Sequence, residues 1–209
     1  MRFDGILFDL DGTLWDSCQR VWESRCDTLC RRFGAVELPT PQDVAGIMGL
    51  TVEGIADRVF AAYGDRRMEV CTACLNDEPA YLSRHGGRIY PGVPELLEKC
   101  SRETQLFVVS NCLDGYIQSF YTSSGLGKYF TDQECEGSTG LGKADNIRLL
   151  VERYGLKAPV YVGGTATDER SAGDAGCPFV HVTYGFGTAR GPLAAADTPE
   201  ELAELLNTL

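Results

Sequence analysis

Gly5-Ile6-Leu7-Phe8-Asp9-Leu10-Asp11-Gly12-Thr13-Leu14-Trp15-Asp16 decides the reading of this chain. A run of strand character from Phe3 to Leu10 ends in two carboxylates two residues apart. Open α/β sheets bind ligands beyond the C-terminal ends of their strands, and residues two apart in an extended chain point to one side. Asp9 and Asp11 are therefore expected to share one small volume. Two anions held so close repel, and the arrangement is tolerable only when a cation lies between them or one carboxyl keeps its proton.

Beyond this strand the pattern turns helical. Asp16 or Ser17 can cap a helix whose stripe is Val21, Trp22, Cys26, Leu29 and Phe33, with Gly34 ending it. Thr40-Pro41-Gln42-Asp43 is a second start signal, and Thr51-Val52-Glu53-Gly54 opens a third helix carrying Ile55, Val59 and Phe60 as far as Gly64. A further helix from Arg66 to about Arg84 contains Pro79, which is expected to bend or split it. From Arg88 strands and helices alternate. Strands are predicted at Leu106–Ser110, Val160–Val162 and Phe179–Val182, and helices at Pro94–Cys100, Asp114–Ser124, Lys143–Tyr154, Glu169–Ala175 and Pro199–Leu206. Such alternation predicts an α/β fold with a doubly wound parallel sheet of Rossmann type. Residues 1–15 and 86–209 then form the core domain, and residues 16–85 an inserted all-helical cap over the sheet edge.

Composition narrows the function classes. The chain has 209 residues, 44% hydrophobic and 23% charged, with a formal net charge of −11. That balance argues against nucleic acid or an anionic membrane as partner, but not against a small anionic substrate at a locally positive site. No apolar run reaches the roughly 18 residues of a membrane span, and no secretory leader precedes the first strand, so a cytoplasmic location is expected. The nine cysteines are expected to be reduced thiols acting as small buried hydrophobes. Cys71 and Cys74, three apart on a helix, and Cys26 and Cys30, four apart on another, read as core packing rather than metal knuckles.

Three strand ends converge on one site: Asp9 and Asp11, Ser110 and Asn111, and the loop from Gly163 to Asp168. Lys143 stands at a helix N-terminus, where its ammonium and free backbone N–H groups favour an anion. Taken singly, Ser110 reads equally as a strand-end cap, Lys143 as a surface residue and Thr13 as a turn residue. Taken together, a nucleophilic carboxylate, a second carboxyl, a hydroxyl and a lysine fit phosphoryl transfer through an aspartyl-phosphate. Mg²⁺ is the implied cation, because it prefers hard oxygen ligands.

Four ordered stretches, Asp9-Leu10-Asp11-Gly12-Thr13-Leu14-Trp15-Asp16, Val108-Val109-Ser110-Asn111, Gly142-Lys143 and Gly163-Gly164-Thr165-Ala166-Thr167-Asp168, resemble the motifs of the haloacid dehalogenase (HAD) superfamily. The helical insertion resembles that superfamily's cap, and Tyr184-Gly185-Phe186-Gly187 is similar to its phosphoglycolate phosphatase-like members. The resemblance implies a Mg²⁺-dependent phosphoric monoester hydrolase acting on a small phosphorylated metabolite. Asp9 would attack phosphorus, and Asp11 would protonate the leaving alcohol and then activate water. Thr13, Ser110, Asn111 and Lys143 would bind the phosphate, with the metal on Asp9, the Asp11 carbonyl and Asp168. Cap residues Gly46-Ile47-Met48-Gly49-Leu50 and Arg84 to Arg88 would face the substrate. An acid at Asp11 disfavours dehalogenation, which lacks one there; a sugar phosphomutase shares every core motif.

One position departs from the pattern. The fourth motif usually reads Gly-Asp-Thr-x-x-Asp, and its first Asp is replaced here by Gly164. Losing an anionic ligand is expected to weaken metal binding unless Asp168 substitutes for it, directly or through water. The alternative to a working phosphatase is an impaired relative that binds a phosphorylated ligand or a partner through Asp9, Ser110 and Lys143.

Overall fold

The computed structural model describes residues 2–35 and 37–209. Six strands form one parallel sheet: β1 (Gly5–Phe8), β4 (Gln105–Ser110), β5 (Asp132–Cys135), β6 (Pro159–Gly163), β7 (Phe179–Val182) and β8 (Ala194–Ala196), in the order β5-β4-β1-β6-β7-β8. The predicted doubly wound α/β class is the one observed. β1 is central, with Ile6 opposite Leu106 on one side and Val160 on the other. A strand paired on both edges and covered on both faces must be apolar throughout, and all four residues of β1 are buried. Alternation divides its neighbours between two cores: Ile6, Phe8, Val108 and Val162 face one layer of helices, and Leu7, Phe107, Val109 and Tyr161 face the other.

Between β1 and β4 the chain builds α1 (Cys18–Phe33), α2 (Pro41–Ala45), α3 (Val52–Val59) and α4 (Arg67–His85), then α5 (Val93–Ser101). The helices from α1 to α4 have their own core, in which Leu29, Ala56, Phe60, Val70, Cys71 and Cys74 are buried together. A two-residue antiparallel pair, β2 (Trp15–Asp16) with β3 (Arg88–Ile89), ties the two ends of this block at its junction with the sheet. Gly34 adopts the left-handed cap of α1, and Thr40 and Asp43 form a reciprocal capping box on α2. The remaining helices are α6 (Tyr116–Ser124), α7 (Glu136–Thr139), α8 (Lys143–Tyr154), α9 (Ala166–Asp174) and α10 (Pro199–Thr208).

Two expectations are corrected. Pro79 does not split its helix, because α4 runs through it from Arg67 to His85. The lost backbone bond is offset by packing, as α4 lies between α1 and α6 and Pro79 rests beside Gly115. Of the helical cysteine pairs, Cys71 and Cys74 are buried, whereas Cys26 is half-buried and Cys30 exposed. Cys30 thus lies off the buried stripe of α1, which runs through Val21, Arg25, Thr28 and Leu29. Among the described residues no helix is long and apolar enough to cross a membrane.

Candidate active site

The first motif positions its carboxylates by backbone bonding. Asp9 N–H donates to the Val162 carbonyl at 2.8 Å, which carries the β1–β6 register one residue past the strand. The chain then turns at Gly12, whose φ of 81° favours glycine. The Phe186 ring lies where a Gly12 side chain would project. Asp9 and Asp11 both line one cleft of about 590 Å³, open mouth included, between the sheet and the helical block. Ser110, at the end of β4, lines it as well.

Each carboxylate is held by one oxygen. Lys143, the first residue of α8, donates from Nζ to Asp9 Oδ1 at 2.8 Å. Asp11 Oδ1 accepts from Trp15 Nε1 at 2.8 Å, Ser17 Oγ at 2.5 Å and Tyr116 Oη at 3.1 Å. Among the described residues neither Asp9 Oδ2 nor Asp11 Oδ2 accepts a side-chain or backbone hydrogen bond. Ser17 occupies the N-cap position of α1 but spends its hydroxyl on Asp11, and Asp16 accepts the Cys18 N–H instead.

Burial dominates the electrostatics. It pushes Asp9 up to about 7, helped by the charge of Asp168 and opposed by Lys143. Burial likewise raises Asp11 to about 6 against its Ser17, Tyr116 and Trp15 donors. Burial opposes the Lys143 charge too, yet Asp168 and Asp9 hold its ammonium well above the usual lysine range.

The structure redistributes several expected roles. Asp168 does not offer a free oxygen to a metal. Its Oδ1 receives Lys143 Nζ at 2.6 Å, and its Oδ2 receives the Thr165 N–H at 3.0 Å and the Thr165 hydroxyl at 2.7 Å, the capping box of α9. Asn111 lines the same cleft and donates one Nδ2 hydrogen to the Gly49 carbonyl at 3.1 Å, which ties the sheet to the helical block. Thr13 is fully buried outside the cleft lining, with its hydroxyl enclosed and unpartnered. Met48, Gly49 and Leu50 do line the cleft, whereas His85 to Arg88 line a separate surface concavity beside Asp16.

Sequence reasoning missed Trp15, Ser17 and Tyr116, the donors to Asp11, and the cleft pair Arg25 and Glu78. The latter two left a readable signal. Arg25 falls on the α1 stripe with Val21 and Leu29, and Glu78 on the α4 stripe with Cys74, Leu75 and Leu82, positions where apolar side chains are the rule.

The family model described as haloacid dehalogenase-like hydrolase matches residues 6–182. The chain belongs to the haloacid dehalogenase-like hydrolases. Among curated HAD relatives it is 30% identical to the phosphoglycolate phosphatase of Synechococcus elongatus, over 98% of this chain and 97% of that one. It is 29% identical to the phosphoglycolate phosphatase of Rhodospirillum rubrum over 91% and 83% respectively, and 25% identical to the phosphoserine phosphatase of Bos taurus over 88% and 81%. The HAD fold recurs in a predicted phosphoglycolate phosphatase from Haemophilus somnus, with a TM-score of 0.83 at 21% identity and 99% coverage of both chains.

The donor set suits a divalent cation in the kind of its atoms more than in their number. Asp9, Asp11 and Asp168 bring three negative charges to the neighbourhood of one ammonium, and their oxygens are hard donors, as Mg²⁺ requires. The set is nevertheless short. Among the described residues no three His, Cys, Asp or Glu side chains are grouped to hold an ion. Mg²⁺ commonly takes one or two carboxylates and completes its shell with water and substrate phosphate. The free oxygens of this HAD site fit that smaller requirement.

Proposed function

We propose that the chain is a phosphomonoester hydrolase of small metabolites in which Asp9 is the nucleophile and Asp11 the acid and base. The observation that carries this reading is that both carboxylates are fixed through Oδ1 alone, so each keeps Oδ2 for chemistry at the same cleft. Asp9 Oδ2 attacks phosphorus as the ester P–O bond breaks, and Asp11 gives its proton to the leaving alkoxide. Asp11, now ionised, takes a proton from the water that attacks the aspartyl-phosphate, which releases phosphate and restores Asp9. Ser110, at the cleft wall, hydrogen-bonds a phosphoryl oxygen, and Lys143 holds Asp9 oriented and offsets its charge. Burial raises both carboxyls, and the Lys143 ammonium works to keep Asp9 ionised for attack.

Mg²⁺, held by the Asp9 carboxylate oxygen that does not attack and by the main-chain carbonyl of Asp11, would supply charge neutralisation at the phosphoryl group. With Gly164 and Asp168 contributing no ligand, that ion would be weakly held until substrate oxygens complete its shell. The residues 16–85 act as a cap that closes the cleft from above. Gly164 favours a second reading, capture of a phosphorylated ligand without turnover. Phosphate release from a generic phosphomonoester in Mg²⁺ separates the two: turnover abolished by Asp9→Asn supports hydrolysis, and tight binding without turnover supports capture.

A further inference from the structure

The cleft has two chemically different ends. Asp9, Asp11 and Ser110 lie at one, and the helical block supplies an apolar wall that includes Val21, Ile47, Leu50, Ile55 and Leu75. One charged pair interrupts that wall. Arg25 on α1 donates from Nε to Glu78 Oε1 on α4 at 2.5 Å, with side chains only 3% and 2% exposed. Both residues line the cleft.

Arg25 carries more donor capacity than Glu78 uses. Its Nη1 is enclosed and donates to nothing; among the described residues no other cleft-lining side chain has an enclosed polar atom without a partner. The other polar side chains deeper in the cleft are already engaged. One Asn111 N–H is taken by the Gly49 carbonyl, and the Tyr116 hydroxyl is taken by Asp11 and Ser17. A buried donor left idle in an apolar wall is costly, and the cost is removed when a ligand oxygen accepts from it.

Charge decides what kind of oxygen that is. Glu78 already cancels Arg25, and Asp9 and Asp11 leave the cleft lining with three carboxylates against one guanidinium. A second anionic group on the substrate would meet one shared cation and the negative charges of Glu78 and Asp9. We infer that the Arg25 guanidinium selects the leaving group: the substrate is the phosphate ester of an uncharged alcohol, with a compact apolar body and one oxygen that accepts from Arg25. This inference rests on the hydrolase reading for its phosphate end. It parts from phosphoglycolate, which names several relatives and carries a carboxylate in that position.

The test compares three esters of equal chain length with the intact protein: butyl phosphate, its analogue with a terminal hydroxyl, and its analogue with a terminal carboxylate. Expected is a kcat/KM for the hydroxyl ester about tenfold above butyl phosphate, expressed mainly in KM, since a charged donor supplies at least that much per hydrogen bond. The carboxylate ester is expected to be the poorest. Replacing the pair together, Arg25→Leu with Glu78→Met, avoids a lone buried charge and brings the hydroxyl-to-butyl ratio to about one. A preference for the carboxylate ester, or a ratio unchanged in the double variant, overturns the inference. Calorimetric binding of the same esters to Asp9→Asn separates recognition from chemistry. If wild type hydrolyses none of them while Asp9→Asn binds the hydroxyl ester best, the hydrolase reading falls and the Arg25 assignment stands. Equal or absent binding overturns the assignment.

Discussion

Asp168 is the anchor of Lys143: its Oδ1 lies 2.6 Å from the ammonium, and both side chains are almost fully enclosed. The lysine in turn reaches Asp9 at 2.8 Å, so the fourth motif touches Asp9 through a cation of the protein itself. A carboxylate engaged in this way, with its other oxygen closing the first turn of α9, holds the Lys143 ammonium in place.

Asp168→Asn keeps an oxygen for the Thr165 cap but removes half of the Lys143 counter-charge. Removing one partner from a buried ionic network costs about 3 kcal/mol. Urea unfolding at neutral pH is expected to show a loss of that size, with a steep fall in turnover. Unchanged stability would mean that Lys143 is satisfied by Asp9 alone.

Tyr116→Phe removes one of three donors to Asp11 and leaves Trp15 and Ser17 in place. The acid stays in the cleft but is less firmly oriented. A fall in kcat of about threefold to tenfold with little change in KM is expected, the size of one modest hydrogen bond. Steady-state kinetics on a generic phosphomonoester reads it directly, and a change confined to KM would argue against an orienting role.

Gly164→Asp tests the departure in the fourth motif. A side chain at this position would meet the Gly12 carbonyl oxygen at 3.3 Å and Val182 at 3.7 Å, so the substitution needs a shift of only a few tenths of an ångström. A carboxylate there adds an anionic ligand beside Gly12, and the Mg²⁺ concentration for half-maximal activity is expected to fall about tenfold or more. Gly164→Asn, similar in shape without the charge, is the control. An identical metal dependence in all three proteins would show that the existing oxygens already suffice.

Stability should also depend on pH through Asp132. Burial works against its charge, but the Gln133 N–H, Arg153 and Tyr154 outweigh that cost and hold its carboxyl below the ordinary value. A depressed carboxyl stabilises the fold above its unfolded pKa and loses that contribution as pH falls through the folded one. Asp132→Asn is therefore expected to cost about 0.5 kcal/mol at neutral pH and nothing in acid. Thermal melts of both proteins across that range measure the difference.

Much of this was legible in the sequence, for physical reasons that also mark where legibility ended. β1, β4, β6 and β7 are buried on both faces and read as largely apolar runs around Ile6, Val108, Val160 and Val180. β5 and β8 were missed because Asp132-Gln133-Glu134-Cys135 and Ala194-Ala195-Ala196 carry no strand signal of their own. They sit at the two edges of the sheet, and pairing with β4 and β7 makes them strands. At the site, strand ends bring Asp9, Asp11, Ser110 and Asn111 to one cleft, as their places in the sequence suggest. The side-chain partners of Asn111, Lys143 and Asp168 were not legible, because a motif gives a residue's place and not which neighbour claims its side chain.

The most direct measurement of the chemistry is peptide mapping of protein quenched in acid during turnover of a phosphomonoester with Mg²⁺. A phosphoryl group on the peptide carrying Asp9, absent from Asp9→Asn, is the expected result. Ready phosphate release with no phosphoryl on that peptide, and with Asp9→Asn as active as wild type, would contradict the assignment of Asp9 as nucleophile.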